Sequence, residues 1–374
     1  MKSKTLLICG GGHASLPALK MGSLWKEAGL EVVLLSTHRY LYYSGAVPQF
    51  LGGFYGMDDA RIDLKVLCQN YGTTFTEGTV TEIDETKQTV VLSDGQEFAW
   101  DFLFINTGVV SRPLSFVHPR LFPVKPMTEL IKLKPLLENG KARKIAVLGG
   151  GAAGCEIALN LTAPDSPFQI QLTLLEAGDQ ILSSFPKKLS RMVTETLTRR
   201  GVEIRLSEPF SEEELPDMMT QFDAVIHAAG NIPATKSIRH ILPADAAGRI
   251  RVTDSLQCVG HPKIFAAGDA ACPGADGYPP IGVHAVKQGV TFRGVMEGLL
   301  HGKKLPSYKS YPLTPLILSD GHSGGFFIAG KMAASGRWAI ILKYMLDMNW
   351  LEKYTRPPAE RRSWLKLFLD ASAR

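Results

Sequence analysis

A glycine-rich segment near the middle of the chain constrains the fold more than any other feature. Residues 144–156 read KIAVLGGGAAGCE, in which a short apolar run precedes glycines spaced G-x-G-x-x-G. The run predicts a buried parallel strand, and the apolar pattern after the glycines predicts a helix. Gly149 permits the tight turn, Gly151 lets the backbone approach a pyrophosphate, and Gly154 lets helix and strand pack closely.

The next strand strengthens this interpretation. A second apolar run, residues 171–175, ends at Glu176, which stands 22 positions after Gly154. An acidic side chain at this place binds a ribose hydroxyl, and the helix N-terminus attracts the phosphates. A glycine-rich turn in an ordinary α/β domain is the alternative. Strand, helix, second strand and acid together favour a dinucleotide site.

A second unit of the same kind begins the chain. A strand pattern leads into Gly10, Gly12 and Ser15, and the matching second strand ends at Ser36. Ser15 replaces the usual Gly or Ala but is small enough for close packing, and the Ser36 hydroxyl replaces the usual acid. Two such units predict two dinucleotides. The natural pair is a flavin and a nicotinamide, because hydride passes between them.

Two further turns are predicted to contact the flavin. Thr107 and Gly108 follow an apolar strand and form a small-residue turn that lets the backbone approach a ligand. Gly268 and Asp269 end another strand ahead of a helical pattern. The Asp269 carboxylate can bind a cofactor hydroxyl there, cap the helix, or do both.

Three more residues are included among the cofactor-binding set. His13 lies inside the first turn and either contacts a phosphate or packs at the helix start. Ser44 is predicted to cap a short helix whose N-terminus points at the cofactor. Val80 lies in a region of short strand patterns, which Asp94 and Gly95 break with a hairpin signal.

The order of these segments implies that one domain is inserted into another. We predict an α/β fold with two Rossmann-like dinucleotide-binding domains and a C-terminal helical or mixed segment. The flavin domain comprises residues 1–112 and 258–320, the nicotinamide domain residues 113–257, and the C-terminal segment residues 321–374.

Composition excludes several classes of protein. The chain has 374 residues, 45% of them hydrophobic, and a net charge of +5 without a dense Lys/Arg block, which argues against a nucleic-acid partner. The apolar run at the N-terminus is short and enters the glycine turn, so we expect a first strand rather than a signal peptide. No apolar run is long enough to cross a bilayer.

The five cysteines form no C-x-x-C pair. This predicts a reducing, cytoplasmic environment without structural disulfides, no metal site, and no relay of electrons through a dithiol. Cys155 at a helix N-terminus could be reactive, and Cys272 could lie near the flavin. For both, we favour the interpretation of a small buried residue.

The C-terminal segment contains two apolar patterns. Residues 338–354 predict an amphipathic helix. Residues 361–369 form a shorter basic and apolar segment. Packing on the flavin domain or on a second copy in a homodimer is one interpretation, and binding to the inner face of a membrane is the other. The predicted apolar face of the first helix consists of Trp338, Ile341, Leu342, Met345 and Met348.

Taken together, these motifs resemble the FAD-dependent pyridine nucleotide reductases that have two dinucleotide-binding domains. The resemblance covers roughly residues 4–300. It implies that FAD is bound by Gly10, Gly12, Ser15, Ser36, Thr107, Gly108 and Asp269. It also implies that NAD(P)H is bound by Gly149, Gly151, Gly154 and Glu176, with Glu156 near the nicotinamide end.

The chain resembles two branches of that superfamily, and it resembles the second more closely than the first. The chain lacks the C-x-x-x-x-C of glutathione and lipoamide reductases, and residues 149–156, 268–270 and 282–289 look like the motifs of type II NADH dehydrogenases. That family usually has Gln in its quinone pocket where Val283 and Lys287 stand. Residues 43–48, 61–64, 124–126 and 282–289 resemble the flavoprotein domain found fused to selenophosphate synthetases.

The predicted reaction is hydride transfer from NAD(P)H to FAD, followed by reduction of a second substrate, with a quinone as the leading acceptor. Glu176 favours NADH because a carboxylate repels the 2′-phosphate of NADPH. Glu156 and Lys287 are the candidate catalytic residues. Lys287 either places positive charge near the flavin or is a solvated helix residue. The alternatives are a flavoprotein of selenium or sulfur metabolism and a flavin-binding redox sensor without turnover.

Overall fold

A computed structural model describes residues 3–235, 242–274, 282–309 and 314–373. The strands are β1 (Lys4–Cys9), β2 (Leu30–Ser36), β3 (Tyr40–Tyr42), β4 (Arg61–Asp63), β5 (Thr74–Glu77), β6 (Val80–Asp84), β7 (Thr89–Leu92), β8 (Glu97–Ala99), β9 (Phe102–Ile105), β10 (Val109–Ser111), β11 (Leu121–Pro123), β12 (Lys144–Leu148), β13 (Gln171–Glu176), β14 (Glu203–Leu206), β15 (Ala224–His227), β16 (Asn231–Pro233), β17 (Ile250–Val252), β18 (Gln257–Cys258), β19 (His261–Ala266), β20 (Ala271–Pro273), β21 (Leu316–Asp320), β22 (Gly324–Ala329) and β23 (Met332–Gly336).

The helices are mostly short. They are α1 (Leu16–Leu19), α2 (Gly22–Glu27), α3 (Val47–Leu51), α4 (Leu64–Asn70), α5 (Met127–Leu130), α6 (Lys134–Glu138), α7 (Ala152–Leu161), α8 (Lys187–Arg199), α9 (Leu215–Gln221), α10 (Gly282–His301), α11 (Arg337–Thr355) and α12 (Trp364–Ala373). Within the described ranges, no helix combines the length and the apolar character that a membrane span requires.

The chain divides into two compact units, each made of three segments. The first comprises the described residues of Met1–Leu41, Ile62–Val109 and Ile232–Pro312, and the second those of Tyr42–Arg61, Val110–Asn231 and Leu313–Arg374.

An eight-stranded sheet forms the centre of the first unit, in the order β20-β17-β18-β19-β9-β1-β2-β5. Strands β19, β9, β1, β2 and β5 run parallel, with Leu6 opposite Val32 and Ile8 opposite Phe104. The central strands β1, β2 and β9 contain continuous apolar runs because both faces of a parallel sheet are covered. On one face Phe292 of α10 stacks on Phe104 at 3.7 Å between ring centroids.

A separate antiparallel sheet, β6-β7-β8, belongs to the same unit. The predicted hairpin joins β7 to β8: Gly95 adopts φ +86° and its N–H donates to Leu92 O at 3.0 Å. The left-handed conformation explains why a glycine follows Asp94 in this turn.

The second unit contains a five-stranded parallel sheet in the order β11-β15-β12-β13-β14. Leu148 lies opposite both His227 of β15 and Leu175 of β13, so the ends of three strands meet beside the second glycine turn. The antiparallel sheet β21-β22-β23 and helix α11 also belong to this unit, where α7 packs on β21 and α11 on β22. The predicted α/β class with two Rossmann-like sheets is confirmed.

The unit boundaries differ from the predicted domain boundaries. Strands β17 and β18 extend the large sheet of the first unit, although residues 232–257 were assigned to the nicotinamide domain. Residues 42–61 and the C-terminal segment group with the second unit instead. The cofactor assignment of the two domains remains a prediction.

Candidate functional site

The first glycine turn follows β1 and requires glycine for steric reasons. Gly10 adopts φ +101°, and a Cβ there would collide with the carbonyl oxygen of Asn106. A Cβ at Gly12 would lie 2.7 Å from Asn106 Nδ2. Backbone from two neighbouring strand ends therefore lies close together at this turn.

A buried hydrogen-bond network that the sequence did not reveal holds this turn. Ser15 Oγ donates to Gly10 O at 2.7 Å and accepts from Asn106 Nδ2 at 3.0 Å. Gln288 Oε1 of α10 accepts from the N–H of Gly268 at 2.7 Å. The Ser15 hydroxyl thus links Gly10 to Asn106. The usual Gly or Ala has no hydroxyl and could not form this link. Asn106 precedes the predicted turn at Thr107, and Gln288 lies in the motif of residues 282–289. Their closeness to these motifs is the only signal in the sequence that could have pointed to their roles.

Several predicted flavin residues meet at this edge of the sheet. Ser36 ends β2, its hydroxyl donates to His38 O at 3.0 Å, and it lies 3.0 Å from a Cβ placed at Gly11. Thr107 Oγ1 is buried and has no hydrogen-bond partner in the described part of the chain. Gly108 and Gly268 both adopt φ +69°. A buried hydroxyl without a partner beside a glycine turn fits a site that a polar cofactor completes.

Of the remaining members of the predicted set, His13, Val80 and Asp269 lie in the first unit and Ser44 in the second. His13 is half-buried in the turn before α1, and Val80 begins β6. Asp269 lies in a 3-10 turn, Gly268–Ala270, that leads into β20 rather than directly into a helix. The capping prediction for Ser44 is wrong: helix α3 begins at Val47, its N-cap is Ala46, and no side chain caps it.

The second glycine turn follows β12 and has the predicted strand–turn–helix form. Gly149 adopts φ +110°, and a Cβ at Gly154 would collide with Gly149 O, which confirms the close packing of helix and strand. No described atom lies within 4 Å of a Cβ built at Gly151, the N-cap of α7. The turn therefore leaves open space above its second glycine, where a pyrophosphate would lie.

A cavity of about 270 Å³ opens at this turn. Glu176 lies in its wall: Oε2 accepts from the N–H of Gly150 at 2.6 Å and Oε1 from the N–H of Gly178 at 2.8 Å. These bonds fix a carboxylate where the sequence places the ribose-binding acid. The lining residues are Gly149, Gly151, Leu175, Glu176, Ala177, Glu208, Phe210, Ala228, Ala229 and Gly230. Glu208 and Phe210 were not predicted.

Glu156, on α7, belongs to a buried polar cluster of the second unit. Its Oε1 accepts from Ser319 N at 2.8 Å and from Ser319 Oγ at 2.7 Å. Burial raises the pKa of the Glu156 carboxyl, although Lys343 and the bonds from Ser319 act in the opposite direction. A carboxyl in this setting binds its proton more tightly than an exposed one.

Helix α11 supplies the charged part of this cluster. Lys343 Nζ donates to Asp347 Oδ2 and to Gly45 O, both at 2.6 Å, and the Tyr43 hydroxyl donates to Asp347 Oδ1 at 2.8 Å. Burial alone would lower the pKa of Lys343, but Asp347 and Glu156 raise it above its usual value. Burial and the neighbouring Asp347 raise the pKa of Tyr43.

The predicted apolar face of α11 is largely wrong. The helix itself is confirmed, but of the five predicted residues only Met348 is buried, and Trp338 is 48% exposed. The helix buries Lys343, Asp347 and Glu352 on the same face as other, mostly apolar, residues. Each has a partner, since Glu352 Oε1 accepts from Arg362 Nε at 2.5 Å, so the charged side chains occupy the inward face.

Lys287 belongs to the first unit, whereas Glu156 belongs to the second. Lys287 is half-buried on α10, and burial lowers the pKa of its ammonium group. One turn earlier, His284 Nδ1 lies 2.6 Å from the hydroxyl of Tyr308, and burial lowers the pKa of the imidazole.

All five cysteines are buried and free. Cys155 Sγ donates to Gly150 O at 3.2 Å, and burial raises the pKa of this thiol, as it does that of Cys272. A high pKa keeps a thiol protonated and poorly nucleophilic. The interpretation of Cys155 and Cys272 as small buried residues is confirmed.

Comparison with known proteins points to one family. The sequence pattern of the pyridine nucleotide-disulphide oxidoreductases matches residues 4–289. The NADH dehydrogenase-like protein YutJ of Bacillus subtilis is 26% identical over 371 residues, which cover 94% of this chain and 99% of that protein. The ferredoxin–NAD(+) reductase component of the p-cumate 2,3-dioxygenase system of Pseudomonas putida is 33% identical over 203 residues. That match covers 51% of this chain and 48% of the relative, so it spans about half the length of each.

Solved structures share the fold. NDH2 of Plasmodium falciparum in complex with NADH has a TM-score of 0.76 at 13% identity and covers 99% of this chain and 97% of its own. The sulfide:quinone oxidoreductase of Aquifex aeolicus has a TM-score of 0.72 at 17% identity, with 96% and 94% covered.

Proposed function

The chain belongs to the pyridine nucleotide-disulphide oxidoreductase family, and on this premise we propose that it oxidises NADH and passes the electrons to a quinone. The coarser statement follows from the family: the protein is an NAD(P)H-dependent flavin oxidoreductase with FAD and NAD(P)H as cofactors. The cavity beside Gly151, with the Glu176 carboxylate fixed in its wall, is the observation that carries the NADH proposal.

NADH is favoured over NADPH by charge. Glu176 is held by two backbone N–H groups, and each of its oxygens keeps a lone pair for a ribose hydroxyl. A 2′-phosphate at the same place would bring at least one more negative charge against a fixed carboxylate.

FAD fits the edge of the first sheet. Gly10 and Gly12 allow the tight turn that would precede its pyrophosphate, and Ser36, Thr107 and Asp269 would offer polar atoms to its sugar and phosphate groups. When bound, FAD would supply two-electron transfer between NADH and the second substrate. Lys287 would place a positive charge beside the cofactor.

We assign Glu156 to proton supply. Reduction of a quinone to a quinol takes up protons as well as electrons, and a carboxyl whose pKa is raised by burial holds its proton more tightly than an exposed one. Ser319 fixes one of its oxygens by two hydrogen bonds. The resemblance places this residue near the nicotinamide end of the site.

Two observations support a quinone as acceptor. The cysteines are buried and form no pair, which leaves no dithiol to relay electrons. A structural neighbour over 96% of the chain is a sulfide:quinone oxidoreductase. A quinone dissolved in lipid would also suit a protein that touches a membrane.

The C-terminal helix supports that contact. Four apolar residues of α12 are exposed: Trp364 (49%), Leu365 (69%), Phe368 (46%) and Leu369 (57%). Arg361 and Lys366 lie in the same segment, and apolar, aromatic and basic residues together suit the surface of an anionic bilayer. We propose that α12 attaches the protein to the inner face of a membrane.

A flavoprotein of selenium or sulfur metabolism is the second candidate. The resemblance of residues 43–48 and 282–289 to the flavoprotein domain fused to selenophosphate synthetases favours it. It shares the NADH half of the reaction and differs only in the acceptor.

Reoxidation separates these candidates. The FAD-loaded protein is reduced with NADH without oxygen and mixed rapidly with a ubiquinone or menaquinone analogue. We expect the oxidised flavin spectrum to return within the time of turnover. If quinones leave the flavin reduced and a persulfide or selenium compound reoxidises it, the second candidate is correct. If no acceptor reoxidises it, the protein is a redox sensor.

A further inference from the structure

The cavity beside the second glycine turn contains a second carboxylate that the NADH proposal does not use. Glu208 follows β14 and lies in the same wall as Glu176 and Ala177. It is exposed, so its carboxyl group meets whatever enters the cavity from solvent.

The loop that carries Glu208 is fixed to the end of β13. The N–H of Ser207 donates to Gly178 O at 2.8 Å, and the N–H of Glu208 donates to Glu176 O at 3.1 Å. Ser207 adopts φ +57°, an uncommon conformation for a residue other than glycine. The backbones of Glu176 and Glu208 are therefore neighbours, and both residues line the cavity.

Phe210 indicates which part of a dinucleotide lies here. Its ring packs against the buried cluster around Leu148 and Met218, and its centroid lies 5.6 Å from that of His227 in an edge-on arrangement. A fixed aromatic ring next to a ribose-binding acid suits the adenosine half, since a base can stack on it.

None of the described residues that line the cavity is basic, and two arginines lie near it. Arg205, whose pKa the charge of Glu208 helps to raise, pairs with Glu203 at 2.9 Å. Arg112 lies beside Gly230, where its Nε is 3.7 Å from a Cβ placed on that glycine.

We propose that Glu208 is a second specificity-determining residue, which excludes NADPH by placing another negative charge against the 2′-phosphate. The inference rests on the proposed NADH site and deepens it. A phosphate monoester carries about 1.5 to 2 negative charges at pH 7. Glu208 therefore acts against NADPH while leaving the two ribose hydroxyls of NADH to Glu176.

Nucleotide binding tests this without reference to turnover. The FAD-loaded protein and its variants E208Q, E176Q and E195Q are titrated with NAD⁺ and NADP⁺ by calorimetry at low and high salt. Glu195 is an exposed carboxylate of α8 outside the cavity lining, so E195Q makes the same change of net charge elsewhere. We expect E208Q to bind NADP⁺ about tenfold more tightly than the wild type, a change of about 1.4 kcal/mol, and NAD⁺ with unchanged affinity.

The expected increase in NADP⁺ affinity of E208Q is smaller at high salt, because screening weakens the repulsion that the substitution removes. Equal NADP⁺ affinity in E208Q, E195Q and the wild type would overturn the assignment of Glu208 while tight NAD⁺ binding keeps the proposed function. A wild type that binds neither nucleotide overturns both.

Discussion

At the scale of single residues, Ser15 shows how a departure from a motif is compensated. The hydroxyl satisfies Gly10 O and the amide of Asn106, and both Ser15 and Asn106 are buried. The close packing that a small residue permits is kept, and two hydrogen bonds are added to a turn that is expected to bind FAD.

Replacing Ser15 with Ala is expected to destabilise the protein by about 1–3 kcal/mol, because Asn106 Nδ2 and Gly10 O are left unsatisfied in a buried place. Urea unfolding followed by circular dichroism measures the change, and FAD affinity should fall with it. Ser23 is the control, since its hydroxyl also donates to a backbone oxygen, Tyr71 O at 3.1 Å, but in an exposed position. Equal stability of S15A and S23A would contradict the account.

Glu156 leads to a prediction about pH. Tyr43, Ser319, Lys343 and Asp347 surround this carboxyl, and its pKa in the folded protein lies above the unfolded value. The folded state then binds the proton more tightly, so stability is full below the unfolded pKa and falls as pH rises toward the folded pKa.

The side chain of Gln at position 156 cannot ionise, so the variant E156Q does not lose stability in this way as pH rises. We expect the free energy of unfolding of E156Q, relative to the wild type, to rise between pH 5 and pH 8. E195Q removes an exposed carboxylate, and its free energy of unfolding should change between pH 5 and pH 8 as that of the wild type does. Parallel pH curves for the wild type and E156Q would show that the folded protein does not hold this proton.

At the scale of elements, the two glycine turns were predictable and the charged face of α11 was not. A G-x-G-x-x-G turn depends on neighbours within a few residues, so its pattern is visible in the sequence. Lys343, Asp347 and Glu352 face inward because Tyr43, Gly45 and Arg362 satisfy them from distant parts of the chain. A prediction from periodicity assumes that charged side chains face solvent. It therefore places α11 correctly but assigns the wrong face of this helix to the core.

The same reason explains what sequence reasoning missed at the sites. Asn106 contacts Ser15 across 91 positions, and Glu208 joins the cavity through a loop with no motif. Each is an ordinary polar residue until the sheets bring it to the carboxyl ends of the strands.

The second turn offers a matched pair of glycine substitutions. A Cβ at Gly151 meets no described atom within 4 Å and projects where the dinucleotide would lie, whereas one at Gly154 collides with Gly149 O. We expect G151A to keep its stability within about 0.5 kcal/mol and to lose NADH affinity. G154A should unfold more easily by about 1–3 kcal/mol. Urea unfolding and NADH titration measure both, and unchanged NADH binding in G151A would contradict the placement of the pyrophosphate.

Helix α12 can be tested by flotation with vesicles of phosphatidylglycerol and phosphatidylcholine. Changing Trp364 and Phe368 together to Ser should weaken binding at least tenfold, or about 1.4 kcal/mol, because two exposed apolar side chains are lost from the contact. Met332→Ser, at a 67% exposed residue of β23, is the control. A wild-type dimer that the double variant dissociates, without vesicle binding, would identify the face as a subunit interface instead.

At the scale of the whole molecule, one mixed and one parallel sheet each carry a glycine turn, and the two turns differ in a way that suits two cofactors. The first has a buried hydroxyl, Thr107 Oγ1, that lacks a partner within the described ranges. The second opens onto a cavity with a carboxylate in its wall. Members of this family transfer electrons between a nicotinamide and a flavin. Glu176 and Glu208 predict that NADH rather than NADPH is the nicotinamide used here.

The most direct test is anaerobic titration of the FAD-loaded protein with NADH, followed by the visible flavin spectrum. The account predicts that about one equivalent of NADH bleaches the oxidised flavin band, and that NADPH does so far more slowly. A bound flavin that stays oxidised with both nucleotides would show that the turn from Gly149 to Glu176 is not a working nicotinamide site.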